Sequence, residues 1–508
     1  MSDARIYFYG GANQRGGNQF LLEDRSVRGF LDFGMNFDLF GRYYSFPSSP
    51  QKFRALQELT KIGIYPDFDK YPGFDGIYRS DYLQYMGRIP IEEKTIDFAL
   101  LTHAHLDHAS GIHFLDPSIP VYMDRYTKML LHSIQETGNA PFSEFVDFKD
   151  AFEQTPRLRE AGYTWLQGKI ARTSRNIKLM RPPETFKIEH IKVEPHYVDH
   201  SLPGACGLII HTSAGIVVYT GDMRFRGRRR KDTEAFLARA AELHPDYMLC
   251  EGSLINKLNP GTEDGIVDNV SDFIRDRQGL VVASYPPRDL DRLLTFYKIA
   301  RKTGRKLVVD ARQAYILDMF SGAFGYPTTN SDVIRIYMPR KNKGTLDTEY
   351  PDPERDYQKW ERPYIDHKNR ITKEELQGNQ GQYIRSMSGG QIHELSDMDL
   401  LDDSVYIRSH PEPYTEEMEL DEKILKHWLK RLNLIHLEDP RDLFNSGQIF
   451  EIPQSHINGH STGEETAYAI NKVNPKVLVP IHTVEADDFR KMFKGDIWIP
   501  QLGDVLEL

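Results

Sequence analysis

Leu101-Thr102-His103-Ala104-His105-Leu106-Asp107-His108 decides the reading of this chain. Three histidines and an aspartate crowd together directly behind the apolar, strand-like Phe98-Ala99-Leu100-Leu101. A strand ending in imidazoles and a carboxylate can hold a divalent metal at a sheet edge, and this donor set suits zinc, manganese or iron. The competing reading is a polar strand end with solvated histidines. Distant parts of the chain offer matching donors. Asp222 follows the strand-like Val218-Tyr219 and a turn, His200 precedes the strand beginning near Cys206, and His482 ends Val477-Leu478-Val479-Pro480-Ile481. Because each sits at a strand end, all of them can converge on one sheet edge. His196 competes with His200, and the Ser201-Leu202-Pro203-Gly204 context favours His200.

Around this run lie 508 residues, enough for two or three structural domains. A hydrophobic fraction of 40% permits a large core and argues against disorder. The net charge of −10 argues against nonspecific coating of duplex nucleic acid, although a local basic groove can still neutralise phosphates. Two cysteines, Cys206 and Cys250, make no disulfide framework and fit a reducing compartment. The N-terminus lacks a signal-peptide core, and no apolar run approaches membrane-spanning length, so a cytoplasmic protein is expected.

The first part of the chain reads as strands. Ile6–Tyr9 leads into a glycine-rich stretch from Gly10 to Asn18, which lacks nucleotide-binding spacing and is expected to be a wide hairpin loop. Residues 38–95 lack periodicity and read as a long irregular excursion. After Asp222 the pattern changes. Strand-like Tyr247–Cys250, 280–283 and 307–309 alternate with helix-like Glu263–Arg277 and Asp289–Thr303, which predicts a parallel α/β unit with Gly304 as a helix stop. Glu416–Leu432 reads as an amphipathic helix, and 339–385 as a charged surface insertion.

Taken together, His103-x-His105-x-Asp107-His108 with His200, Asp222 and His482 resembles the metallo-β-lactamase superfamily. Asp32, in Phe30-Leu31-Asp32-Phe33-Gly34, resembles its first signature aspartate, which supports the site without binding metal. The long separation of Asp222 from His482 is similar to the β-CASP nuclease branch, as are three landmarks. Glu251 ends a strand in Leu249-Cys250-Glu251-Gly252-Ser253, His460 lies in His456-Ile457-Asn458-Gly459-His460-Ser461, and His482 lies in Pro480-Ile481-His482-Thr483. The run from Glu412 to Glu417 also resembles microbial, ribonuclease J-like members. Asn458 stands where the family usually has serine, and Val484 separates Thr483 from Glu485. The sequence ends soon after His482, so a form without the C-terminal domain of bacterial ribonuclease J is expected.

The resemblance implies an α/β fold: a metallo-β-lactamase αββα sandwich over 1–228 and 437–508, with an inserted β-CASP α/β domain over 229–436. It implies two divalent ions, zinc before manganese. His103, His105 and His200 would hold one ion, and Asp107, His108 and His482 the other, with Asp222 between them. His460 would assist the leaving group, with Glu251 orienting it and Asp32 supporting the site. Substrate contacts are expected from His456, Ser461, Arg224 and Arg226. The latter two belong to the basic run Arg224–Lys231, where Phe225 is available to stack on a base. The implied activity is cleavage of single-stranded RNA, exo or endo. A single-stranded DNA nuclease, a hydrolase of small esters, lactones or thioesters, and a noncatalytic RNA-processing scaffold are the alternatives. A homodimer is left open.

Overall fold

A computed structural model of the chain describes residues 3–45, 47–68, 76–88, 94–138, 142–148, 152–156, 163–167, 173–257, 261–339, 341, 352–411, 413, 416–437 and 455–508. Most of the Glu412–Thr415 run lies outside the described residues. The chain forms two units: Met1–Phe225, Arg229–Leu258 and Gly459–Leu508 make the first, and Arg226–Arg228 with Asn259–Asn458 the second.

Two seven-stranded sheets build the first unit. One runs in the order Ile177–Met180, Val121–Asp124, Phe98–Leu100, Val27–Phe33, Gln19–Asp24, Ala4–Gly10, Val505–Glu507. The other runs Phe186–Ile188, Ile191–Tyr197, Cys206–Thr212, Gly215–Tyr219, Tyr247–Glu251, Val477–Ile481, Asp496–Ile497. Strand side chains alternate between faces, and this sorts the core into layers. Leu208 and Ile210 join Ile6, Phe20, Leu31 and Leu100 between the sheets. Their neighbour Ile209 points the other way, onto Phe236, Leu237 and Ala240 of helix Arg230–Glu242 and Ala469, Ile470 and Val473 of helix Gly463–Val473. Each such fully buried side chain stabilises the fold by roughly 1.5–3 kcal/mol. The outer face of the first sheet is covered by the stretch expected to be irregular. It carries the short helices Ala55–Lys61 and Ser80–Tyr85, and it sets Tyr65 and Phe68 against Phe33 and Phe30 at 5.4 and 6.0 Å between ring centres.

The expected boundary at 228/229 falls too early. Helix Arg230–Glu242 covers the second sheet, and strand Tyr247–Glu251 pairs in parallel with Gly215–Tyr219 and Val477–Ile481, so the division moves to 258/259. On the return, residues up to Asn458 belong to the second unit, so the first resumes at Gly459 and not at 437.

The second unit holds a parallel seven-stranded sheet in the order Arg370–Ile371, Ile334–Tyr337, Lys306–Asp310, Tyr383–Ser386, Val281–Ser284, Val405–Arg408, Ile435–Leu437. Helix Glu263–Ile274 leads into its strand Val281–Ser284, and Leu290–Thr303 and Ala311–Met319 connect the strands that follow, as the alternating pattern predicts. Asp289 caps Leu290–Thr303 by accepting from the Arg292 backbone N–H at 2.9 Å. Gly304 ends that helix at φ 72°, a conformation that favours glycine.

Candidate metal centre

The opening run leaves its sheet at Leu100 and turns into the short helix Leu106–Ala109. Asp32 pins this turn. Its carboxylate accepts from the Thr102 backbone N–H (2.8 Å), the Thr102 hydroxyl (2.8 Å), the Tyr219 hydroxyl (2.5 Å) and His108 Nδ1 (2.7 Å). The residue sits at φ 56°, a strained position for a non-glycine side chain, and the four bonds hold it there. Glycines press against the same turn. A Cβ on Gly16 (φ 69°) would lie 2.7 Å from Asp107 Oδ2, and one on Gly34 would lie 1.7 Å from the Asp107 carbonyl oxygen. The glycine-rich hairpin loop is therefore also a wall of the site, because only a side-chain-free backbone fits so close to Asp107.

Two groups of donors converge. His103 Nε2 and His200 Nε2 lie 3.0 and 2.9 Å from His105 Nδ1, and Asp222 completes this set with all ligand atoms within 4.8 Å of one another. Asp107, His108, Asp222 and His482 form the second set under the same limit. Asp222 Oδ2 is 3.6 Å from His103 Nε2 and 3.2 Å from His108 Nε2, and Oδ1 is 3.8 Å from His482 Nε2. His482 Nε2 is 3.2 Å from Asp107 Oδ2.

The partners of the other ring nitrogens fix which face of each imidazole is free. His200 Nδ1 donates to the Gly459 carbonyl (2.6 Å) and His108 Nδ1 to Asp32. The Thr102 hydroxyl has given its proton to Asp32, so His103 Nδ1 donates to it at 3.0 Å. Ser253 Oγ meets His482 Nδ1 at 2.6 Å. Each arrangement turns Nε2 inward, and at His103 and His200 that nitrogen is left unprotonated. Burial, reinforced by neighbouring imidazoles, holds His103 and His200 well below the usual histidine range, and burial pulls His105 down to about 4. These rings are neutral at pH 7, as metal ligands must be. Burial opposes charge on His108 too, but Asp222, Asp32 and Asp107 outweigh it and raise that group. His108 Nε2 and both Asp222 oxygens are buried with no hydrogen bond of acceptable geometry. Inward-facing lone pairs on three clustered nitrogens, beside an unbonded buried carboxylate, fit divalent cations. Without one they repel.

A third set, Asp222, Glu251, His460 and His482, shares this corner. Glu251 is already engaged. Its oxygens accept from the backbone N–H of Met223 (3.1 Å) and Ser253 (3.1 Å), and from His460 Nδ1 at 3.1 and 3.2 Å. His460 Nδ1 is 3.8 Å from Asp222 Oδ2. Burial works against its charge, yet Glu251 and Asp222 raise His460 to about 9, leaving the ring protonated at neutral pH.

The expected substrate contacts fall elsewhere. Arg224 is 1% exposed and its Nε faces Asp199 at 3.3 Å, one residue before the candidate ligand His200. Arg229 donates to the His200 carbonyl at 2.7 Å, Arg228 bonds Thr295 and Asp264, and Phe225 is buried against Tyr468. The Arg224 and Arg229 side chains turn inward because Asp199 and the His200 carbonyl hold them. Ser461 is fully buried and donates to the Met223 carbonyl at 2.8 Å. His456 belongs to the second unit, where its Nδ1 meets Arg292 at 3.0 Å, and half-buried Arg226 belongs there too. Thr102, Tyr219, Ser253 and Gly459 are positioning groups that sequence reasoning missed. Hydroxyls and a backbone carbonyl carry no signature outside the fold.

Comparison with known proteins agrees with this geometry. Residues 72–264 match the metallo-beta-lactamase superfamily. That stretch holds the His103–His108 run, His200, Asp222 and Glu251. Across 99% of its length it is 22% identical to Ribonuclease J of Pyrococcus abyssi, covering 97% of that protein. It is 22% identical over 94% of its length to Ribonuclease J of Mycoplasma genitalium, and 21% over 80% to Ribonuclease J2 of Bacillus subtilis, covering 67% and 63% of those chains. A crystal structure of a protein of unknown function from Enterococcus faecalis V583 shares the fold over 99% of both chains, at a TM-score of 0.69 and 21% identity. The second unit lies almost wholly beyond the matched residues, at the place where a β-CASP insertion is expected from the sequence. Among the described residues no helix is long and apolar enough to cross a membrane.

Proposed function

We propose that the protein is a metal-dependent ribonuclease: a dinuclear phosphodiesterase that cleaves single-stranded RNA, with zinc as the favoured metal. The Glu251–His460 pair carries this reading, since it sets a protonated imidazole beside the Asp222 carboxylate (Nδ1 to Oδ2, 3.8 Å). Hydrolysis of a small ester has no need of a second acid at that place. Similarity to proteins named Ribonuclease J supports it.

His103, His105 and His200 would hold one ion, Asp107, His108 and His482 the other, and Asp222 both. Such ions supply Lewis acidity that lowers the pKa of water and offsets charge on phosphoryl oxygens. The chain's own groups do the remainder. Asp32, Ser253 and the Gly459 carbonyl orient the ligand imidazoles. Glu251 holds the Nδ1 proton of His460, so that His460 gives its Nε2 proton to the leaving oxygen of the phosphodiester. Such a general acid contributes about 10²- to 10⁴-fold.

End-labelled single-stranded RNA, DNA of the same sequence and a panel of small esters, each with zinc or manganese, separate the readings. RNA is expected to be cleaved, and His460→Ala to lose most of that activity. Cleavage of esters alone, or full RNA cleavage by His460→Ala, overturns the proposal. Mononucleotide or fragment products report exo or endo attack.

A further inference from the structure

The second unit contains two arginines that the site described above does not use. Arg288 follows strand Val281–Ser284, and Arg312 follows strand Lys306–Asp310. These strands flank Tyr383–Ser386 on either side, so both arginines stand at the same carboxyl edge of the parallel sheet, one strand apart. In open α/β sheets ligands bind along that edge. Both side chains are half-buried, and each Nε is buried without a hydrogen-bond partner. Among the described residues neither guanidinium makes an ion pair. The nearby carboxylates are engaged: Asp289 and Asp310 accept from the backbone N–H groups of Arg292 (2.9 Å) and Gln313 (2.7 Å) as helix caps. Burial and the neighbouring Arg312 lower Arg288 to about 10.

The same corner holds buried neutral polar groups that face one another. The Tyr285 hydroxyl and Gln313 Oε1 are buried and lack hydrogen bonds of acceptable geometry, on side chains 2% exposed. Ser386 and Gln313 lie beside the Tyr285 hydroxyl. Behind Ser386 the chain turns through Gly389 and Gly390, and a Cβ added at Gly390 would meet nothing. Two half-buried cations held beside one another, with only the already engaged Asp310 carboxylate acting on Arg288, are costly. A fold that keeps such a pair, with spare polar groups around it, is prepared for an anion. Guanidinium forks match phosphate oxygens best.

We propose that Arg288 and Arg312 form a phosphate-binding site on the carboxyl edge of the inserted sheet, and that it takes a backbone phosphate of single-stranded RNA. The source of the phosphate rests on the ribonuclease reading; the anion site does not.

Arg288→Met and Arg312→Met in the full chain test it by two readouts. Binding of a fluorescent RNA oligomer, measured without metal to prevent turnover, is expected to weaken about tenfold for each variant. The slope of log affinity against log salt should fall by about 0.7 per arginine, the value for one single-strand phosphate contact. The melting temperature of each ligand-free variant should rise, because an unpaired buried charge is gone, whereas a merely structural arginine would lower it. Inorganic phosphate should raise the wild-type melting temperature and leave the double variant unmoved. If phosphate stabilises the wild type in this way while RNA affinity and slope stay unchanged, the anion site stands and the RNA assignment falls. Unchanged RNA binding together with lowered melting temperatures and no phosphate effect overturns the site itself, whatever the cleavage assay shows.

Discussion

Asp32→Asn is the sharpest test of how this fold prepares its metal centre. The change keeps shape and removes one charge from a residue outside the candidate ligand groups. In the wild type, Oδ2 accepts from the Thr102 hydroxyl, His108 Nδ1 and the Tyr219 hydroxyl, and Oδ1 accepts from the Thr102 backbone N–H. An asparagine does best with its oxygen at the Oδ2 position, which turns its amide N–H₂ toward the Thr102 N–H. One bond is lost and two donors face each other inside the core, at about 1–3 kcal/mol. The three surviving bonds lose their charge assistance, at about 0.5–1 kcal/mol each. Asparagine tolerates the φ of 56° slightly better than aspartate, which returns a few tenths. The net strain of about 2–6 kcal/mol falls on the turn that carries His103, Asp107 and His108. Loss of such a supporting partner weakens metal affinity by about 10–100-fold. Competition with a fluorescent chelator measures this directly, and thermal melting of the metal-free protein measures the structural share. Wild-type metal affinity together with an unchanged melting temperature in Asp32→Asn would refute the reasoning.

Other consequences follow from the same geometry. In the metal-free protein His460 is charged below about 9 and loses its proton as pH rises through that value, so NMR titration should find it near there. In Glu251→Gln the transition should move downward, and an unmoved titration would show that Glu251 does not hold the proton. Gly16→Ala must place a Cβ 2.7 Å from Asp107 Oδ2 at a φ of 69°. It should weaken metal binding at the Asp107–His108–His482 set more than at the other, as read by metal content per chain. Arg224→Ala breaks the buried contact with Asp199 and should lower the melting temperature while leaving the salt dependence of RNA binding unchanged. A reduced salt slope would restore Arg224 to the substrate. Cys206 and Cys250 are buried, and burial raises both thiols, so the native protein should react with no thiol reagent until it unfolds.

Sequence made parts of this molecule legible and hid others for physical reasons. Histidines and aspartates at strand ends are conspicuous because apolar strands frame them, and the structure brings all seven side chains to one corner of the first unit. The alternation of strands and helices after Asp222 showed the parallel inserted sheet. Positioning groups were invisible: Ser253 and Thr102 are ordinary residues until a ring nitrogen sits 2.6 or 3.0 Å away. The basic run misled because a sequence records charge but not direction. Arg224 and Arg229 look solvated in a row of cations, yet tertiary contacts with Asp199 and the His200 carbonyl turn them inward. The domain boundary slipped because helix Arg230–Glu242 and strand Tyr247–Glu251 share the α/β pattern of the insertion while packing on the lactamase sheet. The excursion over 38–95 hid its order in aromatic packing, which has no period.

Metal content per chain, measured by elemental analysis on the wild type and on His108→Ala, tests the central claim most directly. The account predicts two divalent ions in the wild type, fewer in His108→Ala, and loss of RNA cleavage with the missing ion. Two ions retained by His108→Ala, or an active wild type holding none, would contradict it.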